Sequence, residues 1–507
     1  MHKPKSILMM NRKNFEWFNV EFVPLMREKF KTHFTILTNN RENKFIKKVK
    51  IQEGDNCLVL QELEEEAKNQ SNDEDLIYKQ ARMYEDKYNI TYMRDSFMQD
   101  RNIALKYLDS FKKNPGAAGK IPELVNITKE QNFYFEYFEK YFKEKKVDLV
   151  ISRPDSIIGF ALVTIAKAQG IPETFQLPIR VEGYLFWPYG AYNEEIQYKA
   201  YLEKAKLEKA PGKTEVKSFY ADTNALAIIK NNLLLKTLIK EIIYILKDRL
   251  NWLYKDFKRG KLGKRVSMLA KIKSKIIIHL DNRYFNKYFE NDLIKIKSKP
   301  FIYFPLPMEP EYNTHSLSKE FINIHAMIQQ AAISLPSGFN LVVKEHKPNI
   351  GLKPRAFYSG LAKLPNIIFA HYDILGPNLV KDSRSIITIS GTTALEAAEI
   401  GRTAVIFGTH IEYKHLSNIV LAHSLRDLPK ILKDSVKDIG DSKRKKIIWE
   451  TQILKQSYID LGFYAHDTPA TQGKNLFIAK DQMEKAVKLL VILCDLQKAN
   501  YLKSKGI

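Results

Sequence analysis

A chain of 507 residues, 45% of them hydrophobic, has room for two globular domains with full cores. No stretch reaches about 18 consecutive apolar residues and the N-terminus lacks the apolar core of a signal peptide, so a membrane-spanning protein is not expected. The only cysteines, Cys57 and Cys494, are too few for a disulfide framework and lack the spacing of metal ligands, which predicts a reducing, cytoplasmic location.

The net charge of +23 is concentrated in one segment. Residues 230–299 contain 19 Lys or Arg against 6 Asp or Glu, so more than half of the surplus lies in one seventh of the chain. Such a patch suits nucleic acid, an anionic membrane face or a polyanionic glycan. Nucleic acid would require a recognition motif, and the sequence shows no RNA-binding sheet signature, zinc finger or convincing helix-turn-helix.

The N-terminal region alternates strands with a helix. Residues 6–10 and 33–37 have the apolar runs of strands, and residues 17–30 have the apolar spacing of a helix. This order predicts a Rossmann-like domain. The acidic stretch 62–75 predicts a solvated helix end and loop, and the aromatic residues of 134–142 predict a helix that packs a core.

A further buried strand, residues 147–151, ends just before Arg153 and Asp155. A helix over 157–169 and a strand from 173 are predicted next. Ligands of open α/β sheets bind outside the carboxyl ends of the strands, so both charged residues are expected at a site. Asp155 either takes part in that site or caps the helix that begins two residues later.

Aromatic and then basic residues fill the middle of the chain. The rings within the irregular segment 181–225 either stack on sugars or pack over the domain. Basic helices are predicted over 226–252 and 265–278, with apolar residues on one face and lysines on the other. These helices either lie on an anionic leaflet or are ordinary surface helices packed on a core.

A strand, a tight turn and a helix stand at the centre of the second half. Strands are predicted at 386–387 and 404–407, with a helix over 394–400 between them. The turn offers hydroxyls, N-cap chemistry and unpaired backbone N–H groups, which receive a phosphate well. Its residues are Ser390, Gly391, Thr392 and Thr393.

Another strand, residues 340–346, ends in polar side chains. Lys344, Glu345 and His346 therefore fall where a site is expected, facing the same cleft as the turn. Further helices are predicted over 428–458 and 479–503.

These motifs together resemble the C-terminal half of the bacterial capsular polysaccharide biosynthesis glycosyltransferases, a family similar to the Kdo-transferring capsule enzymes. The resemblance covers residues 301–408 and rests on the order and spacing of its motifs. They are 301–311, Leu335-Pro336, Lys344-Glu345-His346, Arg355-Ala-Phe-Tyr358, Leu364-Pro-Asn366, Ser390-Gly-Thr392, Glu396-Ala397 and 401–408. The family usually has Pro directly after the His, whereas here Lys347 precedes Pro348, so this loop is expected to differ in shape.

The resemblance implies an α/β, GT-B-like fold, in which two Rossmann-like domains face a central cleft, here with inserted basic helices. A closing helix often crosses back to the first domain in such enzymes. The implied domains are 1–225 on the acceptor side, 226–299 as a basic helical insertion, 300–472 for the sugar nucleotide, and 473–507 as the helix that packs back.

The resemblance also implies roles for the residues of the cleft. Donor phosphate and nucleotide are expected at Lys344, His346, Ser390, Gly391, Thr392, Thr393 and Glu396, where Glu396 would accept the ribose hydroxyls. Asp155 and His346 are the candidate catalytic residues. Glu309, Glu311 and Arg355 would position the donor sugar or order the loop. The alternatives are a satisfied strand-end histidine for His346 and a solvated helix residue for Glu396.

The expected function is transfer of a sugar from a nucleotide-sugar donor, CMP- or UDP-linked, to a growing, lipid-linked capsule or surface polysaccharide. The histidines lack a metal-binding arrangement, so metal-independent transfer without a cofactor is expected. The predicted partners are the donor, a glycan or glycolipid acceptor and the anionic inner face of the membrane, contacted through residues 230–299, and not nucleic acid. The alternatives are a teichoic-acid-type polyol-phosphate transferase of GT-B fold, a sugar-nucleotide 2-epimerase, and a basic nucleic-acid- or membrane-binding protein without catalysis.

Overall fold

The computed structural model describes most of the chain. The described residues are 3–39, 44–91, 95–100, 103–104, 122–179, 184–190, 235–259, 268–307, 309, 314, 318–345, 349, 353–408, 413–456, 458–460 and 478–506.

Five parallel strands form the sheet of the first domain. They are β1 (Ser6–Met10), β2 (His33–Thr38), β3 (Asn56–Val59), β4 (Leu149–Ile151) and β5 (Glu173–Thr174). Their order is β3-β2-β1-β4-β5, so the chain builds outward from β1 on one side and then crosses to its other side. This is the order of a Rossmann-like domain, as predicted. Two short strands, β6 (Leu177–Ile179) and β7 (Tyr184–Phe186), then pair antiparallel.

Helices cover both faces of this sheet because successive side chains of a strand point to opposite faces. Ile7 of β1 packs in one hydrophobic cluster with Phe22, whereas its neighbour Leu8 packs in another with Phe135 and Leu162. The aromatic helix therefore packs a core, as predicted. The helices are α1 (Glu16–Phe30), α2 (Lys44–Val49), α3 (Leu60–Lys68), α4 (Glu74–Tyr88), α5 (Asp95–Gln99), α6 (Leu124–Glu144) and α7 (Ile157–Ala168).

Two helices, α8 (Leu235–Arg259) and α9 (Met268–Phe285), form a hairpin in the basic segment. Lys275 pairs with Glu241 at 2.9 Å and Lys271 lies 4.0 Å from Asp248, so the two helices run antiparallel. Both predicted basic helices are present in the described residues, and both extend beyond their predicted C-terminal ends. Residues 226–234 and 265–267 of these predictions lie outside the described residues. No helix among the described residues is long and apolar enough to cross a membrane.

Seven parallel strands form the sheet of the second domain. They are β8 (Phe289–Glu290), β9 (Phe301–Pro305), β10 (Asn340–Lys344), β11 (Ile367–Ala370), β12 (Ser385–Thr388), β13 (Ala404–Ile406) and β14 (Ile419–Leu421). Their order is β14-β13-β12-β9-β10-β11-β8. Nearly every residue of the central strands is buried, as expected for a parallel sheet covered on both faces. The fold class predicted from the sequence, two Rossmann-like α/β domains, is confirmed by these two sheets.

Two helices were predicted in the second domain, and the one over 394–400 is confirmed by a helix at Thr393–Glu399. A single helix is predicted over 428–458, but two helices form, and the second begins at Gly440, whose left-handed φ of 71° a continuous helix does not adopt. The helices are α10 (Leu293–Ile296), α11 (Ile324–Ile333), α12 (Arg355–Leu361), α13 (Gly376–Asp382), α14 (Thr393–Glu399), α15 (Leu428–Ser435) and α16 (Gly440–Gln456).

The last described elements, β15 (Ile459–Asp460) and α17 (Lys480–Ser504), lie against the first domain. Strand β15 pairs antiparallel with β7. The Trp187 indole donates to the backbone carbonyl of Ala486 at 3.1 Å. Gln497 accepts from the backbone N–H of Glu173 at 2.7 Å and donates to its carbonyl at 2.9 Å, so one side chain satisfies the open edge of β5.

Candidate functional site

Polar side chains collect at the carboxyl ends of the central strands of the second sheet. Strand β9 leads toward Glu309, strand β10 ends at Lys344 and Glu345, and strand β12 is followed by Ser390. Strand β9 pairs with β10 on one side and with β12 on the other, so the order of the strands reverses here. Ligands of open α/β sheets bind in the crevice outside the strand ends at such a switch point.

A buried group of charges joins the segments that follow β9 and β10. The Lys353 ammonium lies 3.0 Å from Oε2 of Glu309 and 3.3 Å from Oε2 of Glu345. The Tyr358 hydroxyl donates to the same Glu345 carboxylate at 2.5 Å. Burial raises the pKa of Glu309, and the charge of Lys353 opposes this rise. These contacts correspond to the loop-ordering alternative for Glu309.

The turn after β12 is held by hydrogen bonds of Gly391 to the side chains of Thr388 and Tyr413. The Gly391 N–H donates to Oγ1 of Thr388 at 3.0 Å, and the Gly391 carbonyl accepts from the Tyr413 hydroxyl at 2.5 Å. A Cβ on Gly391 would lie 2.7 Å from Oγ1 of Thr388, which only glycine avoids. Ser390 is buried, and Thr393 begins helix α14.

The side chain of Thr392 does not cap helix α14, contrary to the N-cap role predicted for this turn. Its backbone has helical angles, φ −60° and ψ −13°, and it makes no capping hydrogen bond. A capping side chain needs an extended backbone to reach the N–H groups of the first turn.

Glu396 lies one turn into helix α14 and is partly buried. Burial and the nearby charge of Glu399 raise the pKa of Glu396 to about 8, while Lys344 opposes the shift. This influence of Lys344 means that the end of β10 lies near α14. Glu399 itself pairs with Lys455 of helix α16. At neutral pH the carboxyl of Glu396 is therefore mostly protonated, and it can donate a hydrogen bond as well as accept one.

The carboxyl ends of β1 and β4 meet at the switch point of the first sheet. The Arg12 guanidinium, which follows β1, binds the Asp155 carboxylate through both of its terminal nitrogens, one of them at 2.8 Å. The helix-cap alternative for Asp155 is wrong, because the Ser156 hydroxyl caps helix α7 by accepting from the Gly159 N–H at 3.2 Å. Arg153 lies 4.0 Å from Asp155, so a guanidinium-rich edge surrounds this carboxylate.

Three further site residues were predicted from the sequence. His346 and Glu311 lie outside the described residues. Arg355 begins helix α12, and its Nε donates to Oδ1 of Asp281 at 2.7 Å while the guanidinium stacks over the Tyr284 ring. Arg355 therefore holds helix α12 to helix α9.

Sequence reasoning did not identify Arg12 and Lys353. The position of Arg12 directly after a strand was the available signal, since the same rule had selected Asp155. The sequence before Lys353 has no periodic pattern, so nothing local indicates that its ammonium lies against Glu309 and Glu345.

In the described part of the chain, no group of three His, Cys, Asp or Glu side chains could hold a metal ion. One Asp-x-Asp triplet does occur, at Asp73-Glu74-Asp75, and Asp73 caps helix α4 by accepting from the Leu76 N–H at 3.1 Å. Metal-independent chemistry stays a prediction.

The fold and its strand ends define a protein of two doubly wound α/β domains with a polar switch point in each sheet. Residues 222–415 match the family model of capsule polysaccharide biosynthesis proteins. The resemblance predicted from the sequence is confirmed over these residues, which include the second-domain strand ends from Glu309 to Glu396. No curated protein matches the chain.

Several solved structures resemble the chain loosely over most of its length. The UDP-GlcNAc 2-epimerase from Neisseria meningitidis is 12% identical, with 89% of this chain and 97% of that chain covered and a TM-score of 0.30. The calicheamicin glycosyltransferase CalG4 is 12% identical, with 93% and 99% covered and a TM-score of 0.29. The beta Kdo 2,4 transferase of Thermosulfurimonas dismutans KpsC is 13% identical, with 61% and 79% covered and a TM-score of 0.30. These values are too low to choose between epimerase and transferase, and the fold rests on the chain's own strand order.

Proposed function

We propose that this protein transfers a sugar from a nucleotide-sugar donor to a growing capsule or related surface polysaccharide. The proposal rests on the fact that the family match and the candidate site fall on the same segment of the chain. The segment that matches the capsule family is the segment whose strand ends converge at the switch point of the second sheet.

The donor is placed at the second-domain switch point. Its phosphates lie against the turn from Ser390 to Thr393, where a nearby Lys344 supplies positive charge and the Thr392 hydroxyl makes no capping bond. His346 adds a second cationic group, since a phosphate neighbour favours imidazolium. This arrangement neutralises the departing phosphate without a metal ion or cofactor, and CMP or UDP is the expected leaving group.

Glu396 is assigned to the ribose of the donor. Hydrogen bonds donated by two hydroxyls favour the ionised carboxylate, whereas Glu396 is mostly protonated in the absence of ligand. Donor binding at neutral pH therefore releases a proton from this group.

Asp155 is assigned to the acceptor hydroxyl, opposite the donor. The Arg12 contact fixes the orientation of this carboxylate, which accepts the proton of the acceptor hydroxyl in the proposed reaction. The lipid-linked acceptor places the enzyme at the inner face of the cell membrane, where the basic hairpin of α8 and α9 would meet anionic lipid.

The test measures donor binding and transfer separately. Calorimetry with CMP, CDP, UDP, GDP and their sugar conjugates is expected to show that the wild type binds one of these nucleotides tightly. Thr392→Val, His346→Ala and Glu396→Ala are each expected to bind that nucleotide more weakly. The matched control is Thr403→Val, which is expected to keep full affinity for the nucleotide. Thr403 is a partly buried threonine just before β13, so it lies at the opposite end of the strands from the proposed site. Asp155→Asn is expected to keep donor affinity and to lose transfer to an acceptor oligosaccharide.

Other outcomes would replace the proposal. Binding of none of these nucleotides by folded protein would remove it. Interconversion of a free UDP-sugar without acceptor would identify an epimerase, and consumption of a CDP-polyol would identify a polyol-phosphate transferase. Salt-sensitive retention on DNA without turnover would favour a basic binding protein.

A further inference from the structure

Helix α8 leaves a stripe of aliphatic side chains in water. Ile239, Ile243, Leu246 and Leu250 follow one another at intervals of four, three and four residues, which places them on one face of the helix. Each is between 39% and 66% exposed. Soluble proteins rarely expose a continuous aliphatic stripe without a partner for it.

Charges around the stripe have one sign. Lys240 and Lys247 are exposed, and each directly follows a stripe residue, so both lie beside the stripe. The acidic residues Glu241 and Asp248 are paired instead with lysines of helix α9. The surface next to the stripe is therefore positive, and the charges of Glu241 and Asp248 are neutralised within the hairpin.

Helix α9 carries a second exposed set on one of its faces. Leu269, Ile276 and Leu280 are 72%, 39% and 52% exposed. The C-terminal end of the same helix is fixed to the second domain, because the rings of Phe285 and Tyr358 pack with centroids 4.5 Å apart. The hairpin thus exposes apolar and basic side chains and is attached at the end of α9 to the domain that carries the proposed donor site.

We propose that the α8 stripe inserts into the boundary between headgroups and acyl chains of an anionic bilayer, with the helix lying in the plane of the surface. This deepens the proposed function and rests on it, since the acceptor there is lipid-linked. Aliphatic side chains beside lysines are the composition of helices that lie in this region. A second copy of the chain is a poorer occupant, because pairing two such stripes would bring Lys240 and Lys247 of each copy together.

If the stripe inserts in this way, binding to the bilayer has an apolar contribution that high salt does not abolish. Purified full-length protein is tested by sedimentation with vesicles of phosphatidylcholine and phosphatidylglycerol. Burying half of an aliphatic side chain corresponds to about fivefold in partitioning, so Ile243→Gln/Leu250→Gln is expected to bind about 25-fold more weakly. Ile333→Gln/Leu502→Gln changes two residues that are 62% and 44% exposed outside the hairpin, and it is expected to bind as the wild type.

Insertion is measured directly with Leu250→Trp. Its added fluorescence is expected to shift to the blue on vesicle binding and to be quenched by lipids with brominated acyl chains. Binding that disappears entirely at high salt, or that is equal in Ile243→Gln/Leu250→Gln and the wild type, would overturn the proposal. A lipid-free dimer that this double variant dissociates would assign the stripe to a second copy instead.

The result is separable from the proposed function. Nucleotide binding and transfer to a water-soluble acceptor fragment are expected to be unchanged in Ile243→Gln/Leu250→Gln. Loss of vesicle binding with these activities intact supports the inference alone. If the wild type binds vesicles but neither binds nucleotides nor transfers sugar, the proposed function is refuted, whereas the assignment of the stripe to the membrane is not.

Discussion

Glu396→Gln tests whether this carboxyl is held protonated. The folded protein binds a proton at Glu396 up to a pKa of about 8, whereas the unfolded chain releases it near the ordinary value of 4.5. A raised carboxyl pKa means that stability is highest below pH 4.5 and falls as pH rises toward 8. At about 1.4 kcal/mol per pH unit, the wild type loses about 3 to 5 kcal/mol of unfolding free energy from this group across that interval.

The glutamine variant has nothing to ionise at this position. It is expected to match the wild type near pH 5 and to exceed it by about 3 to 5 kcal/mol near pH 8.5. Urea unfolding followed by circular dichroism between these pH values measures the difference. Glu65→Gln, which removes an exposed carboxylate of helix α3, is the control and is expected to follow the wild-type pH profile. Parallel profiles for wild type and Glu396→Gln would refute the reasoning, because they would mean that Glu396 is ionised in the folded protein.

Two further substitutions test contacts that organise the domains. Lys353→Met leaves Glu309 and Glu345 buried without their cation, so it is expected to lower the unfolding free energy at pH 7 by about 3 to 5 kcal/mol, and Lys353→Met/Glu345→Gln to recover part of the loss. A loss below about 1 kcal/mol in the single variant would contradict the buried pairing. Gln497→Ala removes both hydrogen bonds to the backbone of Glu173, so it is expected to lower the unfolding free energy by about 1 to 3 kcal/mol. It is also expected to speed hydrogen exchange at the Glu173 amide. Unchanged exchange would show that these bonds do not protect the edge of β5.

The sequence predicted the strands well because buried parallel strands are short apolar runs that local reading detects. Residues 301–304, 340–344 and 404–406 are such runs, and each became a strand. The prediction of one long basic helix over 428–458 was wrong. The apolar spacing continues on both sides of Gly440, so the pattern does not reveal that the backbone changes direction there through a single φ angle.

The candidate site was predictable only where it follows a strand end. Lys344, Asp155 and the turn at Gly391 were found by this rule, and the structure places all three at carboxyl ends. The choice between a site role and a cap role for Asp155 depended on Arg12, which is distant in sequence and binds the carboxylate, while Ser156 caps the helix. Burial of Glu396 depends likewise on the packing of several elements, so its altered pKa was not visible in the sequence.

Helix α17 has a consequence for any attempt to divide the molecule. This helix follows the second domain in sequence but packs against the first domain. There it accepts the hydrogen bond from Trp187 and bonds the exposed edge of strand β5. A fragment that stops before residue 478 would therefore present an unpaired strand edge and a large apolar surface to other molecules, and strand edges of this kind promote aggregation. Soluble expression of the first domain by itself should require residues 478–506, either fused to residue 190 or supplied as a separate peptide.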